Sequence, residues 1–206
     1  MLKWITLIIV LLWQTAAQAG PLEDCEQDRD ADRRIRGCTE RLRQFPRDAS
    51  AYFNRGAAYL SEGELDRAIA DQTRVIQLDA AYSAAYLKRG MAYERKEQYD
   101  RALEDYSKAI ELNPRFASAY GARASVLLKA GQAPRALGDA ERAASLDPHV
   151  PELVETRARV YEALGRVTEA IADYRRVLAA DPSARSALDG LRRLGASASD
   201  RSAFPR

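Results

Sequence analysis

Apolar positions recur along this chain at spacings of three and four, the signature of one-sided helices. Leu65, Ala68, Ile69, Val75 and Ile76 mark one such stripe. Leu103, Ala102, Tyr106, Ala109 and Ile110 mark the next, 34 residues on. Polar and charged residues fill the positions between. The stripes come in pairs. Gly63, Gly131 or Gly165 divides the two members, with Glu97 in that place in one pair. Glycine there suits the left-handed residue that ends a helix. An Asn-Pro or Asp-Pro step closes three of the pairs, at Pro114, Pro148 and Pro182, because the residue before proline avoids the helical region. The pattern predicts an all-α chain of antiparallel helix pairs.

The pairs are copies of one another. Restarting the count at Ala49, Ser83, Ala117 and Pro151 gives four copies in register, 49–82, 83–116, 117–150 and 151–182. Position 20 is Ala in each: Ala68, Ala102, Ala136 and Ala170. Position 8 is small (Gly56, Gly90, Ala124, Ala158), and position 11 is Tyr59, Tyr93, Leu127 and Tyr161. Small residues at 8 and 20 let the two helices of a pair approach closely. Large residues at 4, 11 and 24 fill the space around that contact.

This pattern resembles the tetratricopeptide repeat, with an aromatic at 4, a small residue at 8, Tyr at 11, Ala at 20, an aromatic at 24 and Pro at 32. The second copy carries it most fully, in Tyr86, Gly90, Tyr93, Ala102, Tyr106 and Pro114. Departures are Gln72 and Ala140 at position 24, and Arg at position 7 where the family has Leu. The resemblance implies a right-handed solenoid whose first helices line a concave groove. That groove takes positions 2, 5, 6, 9, 12 and 13 of each first helix. Phe53, Asn54, Leu60, Leu87, Lys88, Met91, Arg95 and Leu128 are the candidate contacts for a partner peptide or helix. In the last copy the same positions turn charged, with Glu152, Glu155, Arg159 and Glu162. The family's clamp for a terminal carboxylate needs Lys, Asn and Arg across three repeats. Only Asn54 and Lys88 stand at such places, and Ala122 falls where a third basic group would help. The expectation is a partner read by apolar anchors.

Position 7 is Arg in every copy (Arg55, Arg89, Arg123, Arg157), and position 23 is Asp in every copy (Asp71, Asp105, Asp139, Asp173). In an antiparallel pair the two lie at nearly the same height. They read as a structural ladder, each Arg meeting an Asp of its own or the preceding repeat.

A stack of repeats exposes apolar faces at its ends, so caps are expected. Residues 183–195 supply a capping helix, with Leu188, Leu191 and Leu194 on one stripe, and 196–206 a disordered tail. At the other end, 20–48 reads as a half repeat, its stretch from Asp32 to Pro46 aligning with a second helix. It holds both cysteines, Cys25 and Cys38, too far apart for a CxxC metal or redox site. In an exported chain they read as one disulfide, the alternative being two buried free thiols. A helical Cys25 would stand about a turn out of level with Cys38, beyond easy bridging.

Export is suggested by residues 1–19. Lys3 precedes an uncharged apolar run from Trp4 to Trp13, and Ala17-Gln18-Ala19 follows. That is the build of a secretory signal peptide cut before Gly20, the alternative being an uncleaved anchor. The composition suits a periplasmic location.

Charge narrows the partner. The 206 residues carry 32 Lys+Arg against 30 Asp+Glu, a net +2, without the basic excess of a nucleic-acid binder. His149 is the single histidine, and no phosphate loop, dinucleotide fingerprint or nucleophile elbow occurs. The reading is a non-enzymatic, cofactor-free, metal-free scaffold or adaptor whose partner is another protein. The alternatives are a non-catalytic accessory subunit of an envelope enzyme or assembly complex, and a self-assembling repeat protein.

Overall fold

In the computed structural model the described residues are Cys25 and 30–197. The expected signal peptide, residues 20–24 and 26–29 of the cap, and the tail from 198 lie outside them. The described residues hold ten helices and no strands. The chain divides into two compact units, Met1–Ala80 and Ala81–Arg206.

The first unit contains α1 (Ala31–Gln44), α2 (Ala49–Ser61) and α3 (Leu65–Leu78). Helix α2 packs on both neighbours. Asp30 and Asp48 start α1 and α2, each side chain accepting a backbone N–H three residues on. Gly63 ends the α2 turn at φ 79°. Buried Ala51, Ala58, Ala68 and Val75 form the seam. At position 8, a Cβ on Gly56 would lie 2.6 Å from Gln72 Nε2, so the Gln72 side chain would have to shift to admit one.

The second unit holds three pairs: α4 (Ser83–Arg95) with α5 (Tyr99–Leu112), α6 (Ala117–Lys129) with α7 (Ala133–Leu146), and α8 (Pro151–Ala163) with α9 (Val167–Ala180). It closes with α10 (Arg185–Arg193). Each second helix also packs on the first helix of the next pair, and α4, α6 and α8 are neighbours in one layer. The alanines at position 20 are fully buried in both units, as the close approach requires. At the turn between α4 and α5, Glu97 adopts φ 58°, the conformation Gly131 and Gly165 take in the following pairs. A non-glycine residue there costs about 1 kcal/mol.

Helix α10 packs on α9. Buried Ala187 and Leu191 join Tyr174, Val177 and Leu178, with Leu188 and Leu194 packed alongside. Gly190 is required there, because a Cβ would sit 2.4 Å from the Tyr174 ring. Its outer side is Arg185, Ser186, Asp189 and Arg192, all exposed, which stops the stack. Among the described residues no helix is long and apolar enough to cross a membrane.

At the other end Cys25 and Cys38 form a disulfide with a Cα–Cα distance of 4.5 Å. Cys25 is helical, so the expected one-turn offset is corrected. The two residues stand level, both fully buried against Leu42 and Ala51.

Candidate functional site

The residues identical in every copy are consumed in holding pairs together. Arg55 Nε donates to Asp71 Oδ2 at 2.8 Å and Nη2 to Oδ1 at 2.9 Å. Arg89 makes the same two bonds to Asp105, at 2.9 and 2.8 Å. Arg123 makes them to Asp139, at 2.7 and 2.8 Å, and Arg157 to Asp173, at 2.6 and 2.7 Å. Every rung is bidentate and lies within its own repeat. Hydrogen bonding to the aspartate raises each guanidinium pKa above its ordinary value, against the opposing effect of burial. Aromatic rings flank the rungs: Arg55 lies over Tyr52, Arg89 over Tyr86, Arg123 over Tyr120 and Arg157 over Tyr161, at 5.6 to 6.0 Å. The third guanidinium nitrogen reaches backwards. Arg55 Nη1 donates to Thr39 of α1, and Arg123 Nη1 to Ser107 of α5, both at position 25 of the preceding copy. The ladder thus joins neighbouring repeats as well as the two helices of one repeat.

A second network is written in positions 12 and 24. Tyr106 donates to Glu94 at 2.7 Å, and Glu94 also accepts from Lys129 at 2.6 Å. Tyr174 donates to Glu162 at 2.5 Å, and Glu162 accepts two bonds from Arg193. Burial first, then the carboxylate beside it, pushes both tyrosines well above their ordinary range. The Arg193 bond holds Glu162 below its usual value. Position 12 is Glu only where position 24 is Tyr; the other copies have Leu60 with Gln72 and Leu128 with Ala140. That covariation between copies was the available sequence signal for this network.

The same geometry corrects part of the groove expectation. Position 12 leans toward the second helix of its own repeat. Leu60 is therefore 3% exposed, while Leu128 packs along the Ala124, Ala136 and Ala140 cluster but stays half-buried. Leu87, at position 5, is 6% exposed. In the next repeat the place is Gly121, over which Leu153 of α8 closes; the equivalent pair one repeat earlier is Leu87 and Ala119, with large and small exchanged.

Other expected groove residues keep solvent contact. Phe53 and Asn54 on α2 are half-buried, and the Phe53 carbonyl accepts from Gln72 Nε2 at 3.1 Å. On α4, Lys88 and Met91 are half-buried and Arg95 is exposed. On the adjacent α6 and α8, Ala122, Ser125, Glu152, Glu155 and Arg159 reach the surface, with Glu155 accepting from Ser186 at 2.8 Å. Within the second unit this face runs from basic and apolar on α4 through small residues on α6 to acidic on α8. His149 is exposed at the turn before α8. Among the described residues no three His, Cys, Asp or Glu side chains are placed to hold a metal ion.

Comparison with known proteins follows the repeat. Models described as "Tetratricopeptide repeat" match 49–82, 83–116 and 122–194, together about two-thirds of the chain. No curated protein matches in sequence. Among solved structures, YrrB, described as a TPR protein with an unusual peptide-binding site, is 25% identical with a TM-score of 0.64, over 81% of this chain and 86% of that one. TTC0263, a thermophilic TPR protein of Thermus thermophilus, is 24% identical with a TM-score of 0.64, over 80% and 89%. The first TPR of Spaghetti (RPAP3), solved with the HSP90 peptide SRMEEVD, is 26% identical with a TM-score of 0.55, over 57% and 93%. The period, the paired helices and these matches agree: the chain belongs to the tetratricopeptide repeat family.

Proposed function

We propose that this protein is an exported, non-catalytic scaffold or adaptor that holds a segment of a partner protein against the outward face of its first helices. One observation carries the reading. Residues that do not vary between copies, such as the Arg–Asp rungs and the position-20 alanines, are turned into the pair. Positions 2, 6 and 9 of the first helices, which do vary, keep solvent contact in every copy. A scaffold built this way keeps its fold fixed while its recognition surface is free to differ from repeat to repeat. Peptide binding by YrrB and by the first TPR of RPAP3 supports a peptide or helix as the occupant. Lys129 and Arg193 are already engaged by glutamates, which favours recognition through apolar and uncharged contacts such as Met91, Ala122 and Ser125 over a terminal-carboxylate clamp.

Export to an oxidising compartment, the periplasm, is part of the reading. It rests on the apolar segment ending in Ala17-Gln18-Ala19 and on the Cys25–Cys38 disulfide, which such compartments favour.

The test is capture of a partner from an envelope fraction, followed by affinity measurement with that partner purified. Met91→Ala or Lys88→Ala should weaken binding by more than about 1 kcal/mol, roughly fivefold, with the helical signal retained. Capture indifferent to both, yet lost on changing Glu104 or Lys108 on the far side of α5, would place the binding surface elsewhere.

A further inference from the structure

We infer that the turn between α1 and α2 is a second docking surface, separate from the first-helix face, and that it takes a partner segment carrying a carboxylate beside a large apolar side chain.

The chain contains its own control for this turn. Where a second helix ends, position 31 is Asp79, Asn113, Asp147 or Asp181. In two of these the side chain organises the turn: Asn113 Oδ1 accepts the Arg115 N–H at 3.1 Å, and Asp181 Oδ1 that of Ser183 at 2.9 Å. The apolar residue of the turn comes three places later, as Phe116, Val150 and Ala184, each half-buried. At the end of α1 the order is reversed. Position 31 is Phe45, and the polar residue is Asp48. Asp48 takes over the local bonding, accepting the Ala51 N–H at 3.0 Å and an ion pair from Arg41. Phe45 is left 55% exposed, one of two large apolar side chains so exposed among the described residues. The fold needs no aromatic at this place, since the four other turns carry Asp or Asn there.

Around Phe45 the surface forms an open depression of about 670 Å³, lined by Arg41, Gln44, Phe45, Pro46, Arg47 and Asp48. That is the size range of sites for small ligands or a few side chains. Its apolar floor is Phe45 and Pro46. Its charge is set by Arg47, which is exposed and makes no hydrogen bond or ion pair among the described residues. Arg41 is engaged by Asp48, and Arg43 by Glu40. One unengaged guanidinium beside an exposed ring matches a carboxylate adjacent to an apolar side chain, because the planar fork pairs with a carboxylate in two bonds. An anionic membrane fits less well. The rim carries the Asp48 carboxylate, and one aromatic with one free cation gives only marginal membrane affinity. With the first-helix face holding one partner, this turn would let the molecule bridge two.

The experiment is an amide-resolved NMR titration of the purified protein with defined probes. One is the N-acetylated peptide Gly-Glu-Leu-Phe-Asp-Gly; its counterpart has Lys for both acidic residues. Phosphatidylglycerol–phosphatidylcholine vesicles form a third arm. The expected result is a saturable shift confined to Gln44–Asp48 with the acidic peptide, weakened about tenfold by Phe45→Asp or Arg47→Glu, since each anchor is a hot spot. Phe45→Asp introduces the residue type that other turns use, so its melting temperature should match the parent, and Phe45→Ser serves as a second variant. The inference is overturned by no saturable shift at this turn, an equal response to the basic peptide, binding that survives Phe45→Asp, or a response to vesicles alone. Loss of folding in both Phe45 variants overturns it too, since Phe45 would then have a structural task.

Discussion

Removing one rung of the ladder should destabilise the second unit by a predictable amount. In Asp105→Ala, Arg89 loses two charge-assisted hydrogen bonds of 2.8 and 2.9 Å. Exposed ion pairs contribute about 0–1 kcal/mol, whereas breaking a fully buried one costs about 3–5 kcal/mol. Here the Arg89 side chain is 18% exposed and that of Asp105 8%, between those limits but nearer the second. The Tyr86 ring 5.6 Å from the guanidinium offers partial compensation, about 0.5–1 kcal/mol. The expected loss is about 2–3 kcal/mol, with a coupling of about 2 kcal/mol in a double-mutant cycle using Arg89→Ala and Asp105→Ala. Urea unfolding followed by circular dichroism supplies the four stabilities. A shielded pair is screened little, so most of the coupling should persist in about 1 M salt. The exposed Arg43–Glu40 pair is the control, with an expected coupling below about 0.5 kcal/mol. A coupling for Arg89–Asp105 no larger than that control, or one abolished by salt, would refute the reasoning.

Other consequences follow from single contacts. Glu162 has its folded pKa depressed by the Arg193 bond, from an ordinary 4.5. Its contribution to stability is therefore full above pH 4.5 and is lost as pH falls through the folded value. Glu162→Gln should flatten that part of the acid-unfolding curve, as a pH titration of stability would reveal. Gly90→Ala places a Cβ 2.6 Å from the Tyr106 ring, and should destabilise by about 1–3 kcal/mol in urea unfolding. Reducing Cys25–Cys38, or replacing Cys38 by Ser, releases a closure over 13 residues and should cost about 3 kcal/mol, seen as a lowered melting temperature in reductant.

Much of this was legible in the sequence, because a helix pair that cannot bury its faces alone must repeat its packing residues in register. Ala68 and its equivalents, and the small residues at position 8, mark the seam without reference to any structure. The ladder was visible as residues, but its partner choice was not, since Arg at position 7 is near both its own Asp and position 25 of the copy before. The structure gives it both: the Asp bidentately, and for Arg55 and Arg123 a hydroxyl behind. Leu60 and Leu87 were less legible. A position rule places a residue on a face, but burial depends on what the neighbouring position leaves open, and that changes from copy to copy, as Gly121 under Leu153 demonstrates. Phe45 was hidden for the opposite reason. It stands at position 31, where the other copies have Asp or Asn, and only its exposure reveals that Asp48 has taken the turn's polar role.

The most direct test of the proposed role is site-specific photo-crosslinking in the native envelope. A photoreactive residue would be placed one position at a time at Met91 and Ser125 on the first helices, and at Glu104 and Glu111 on the outer side of α5. Binding on the first-helix face predicts one discrete protein adduct from Met91 and Ser125 and none from Glu104 or Glu111. Adducts only from the α5 positions, or none from either first-helix position, would contradict it.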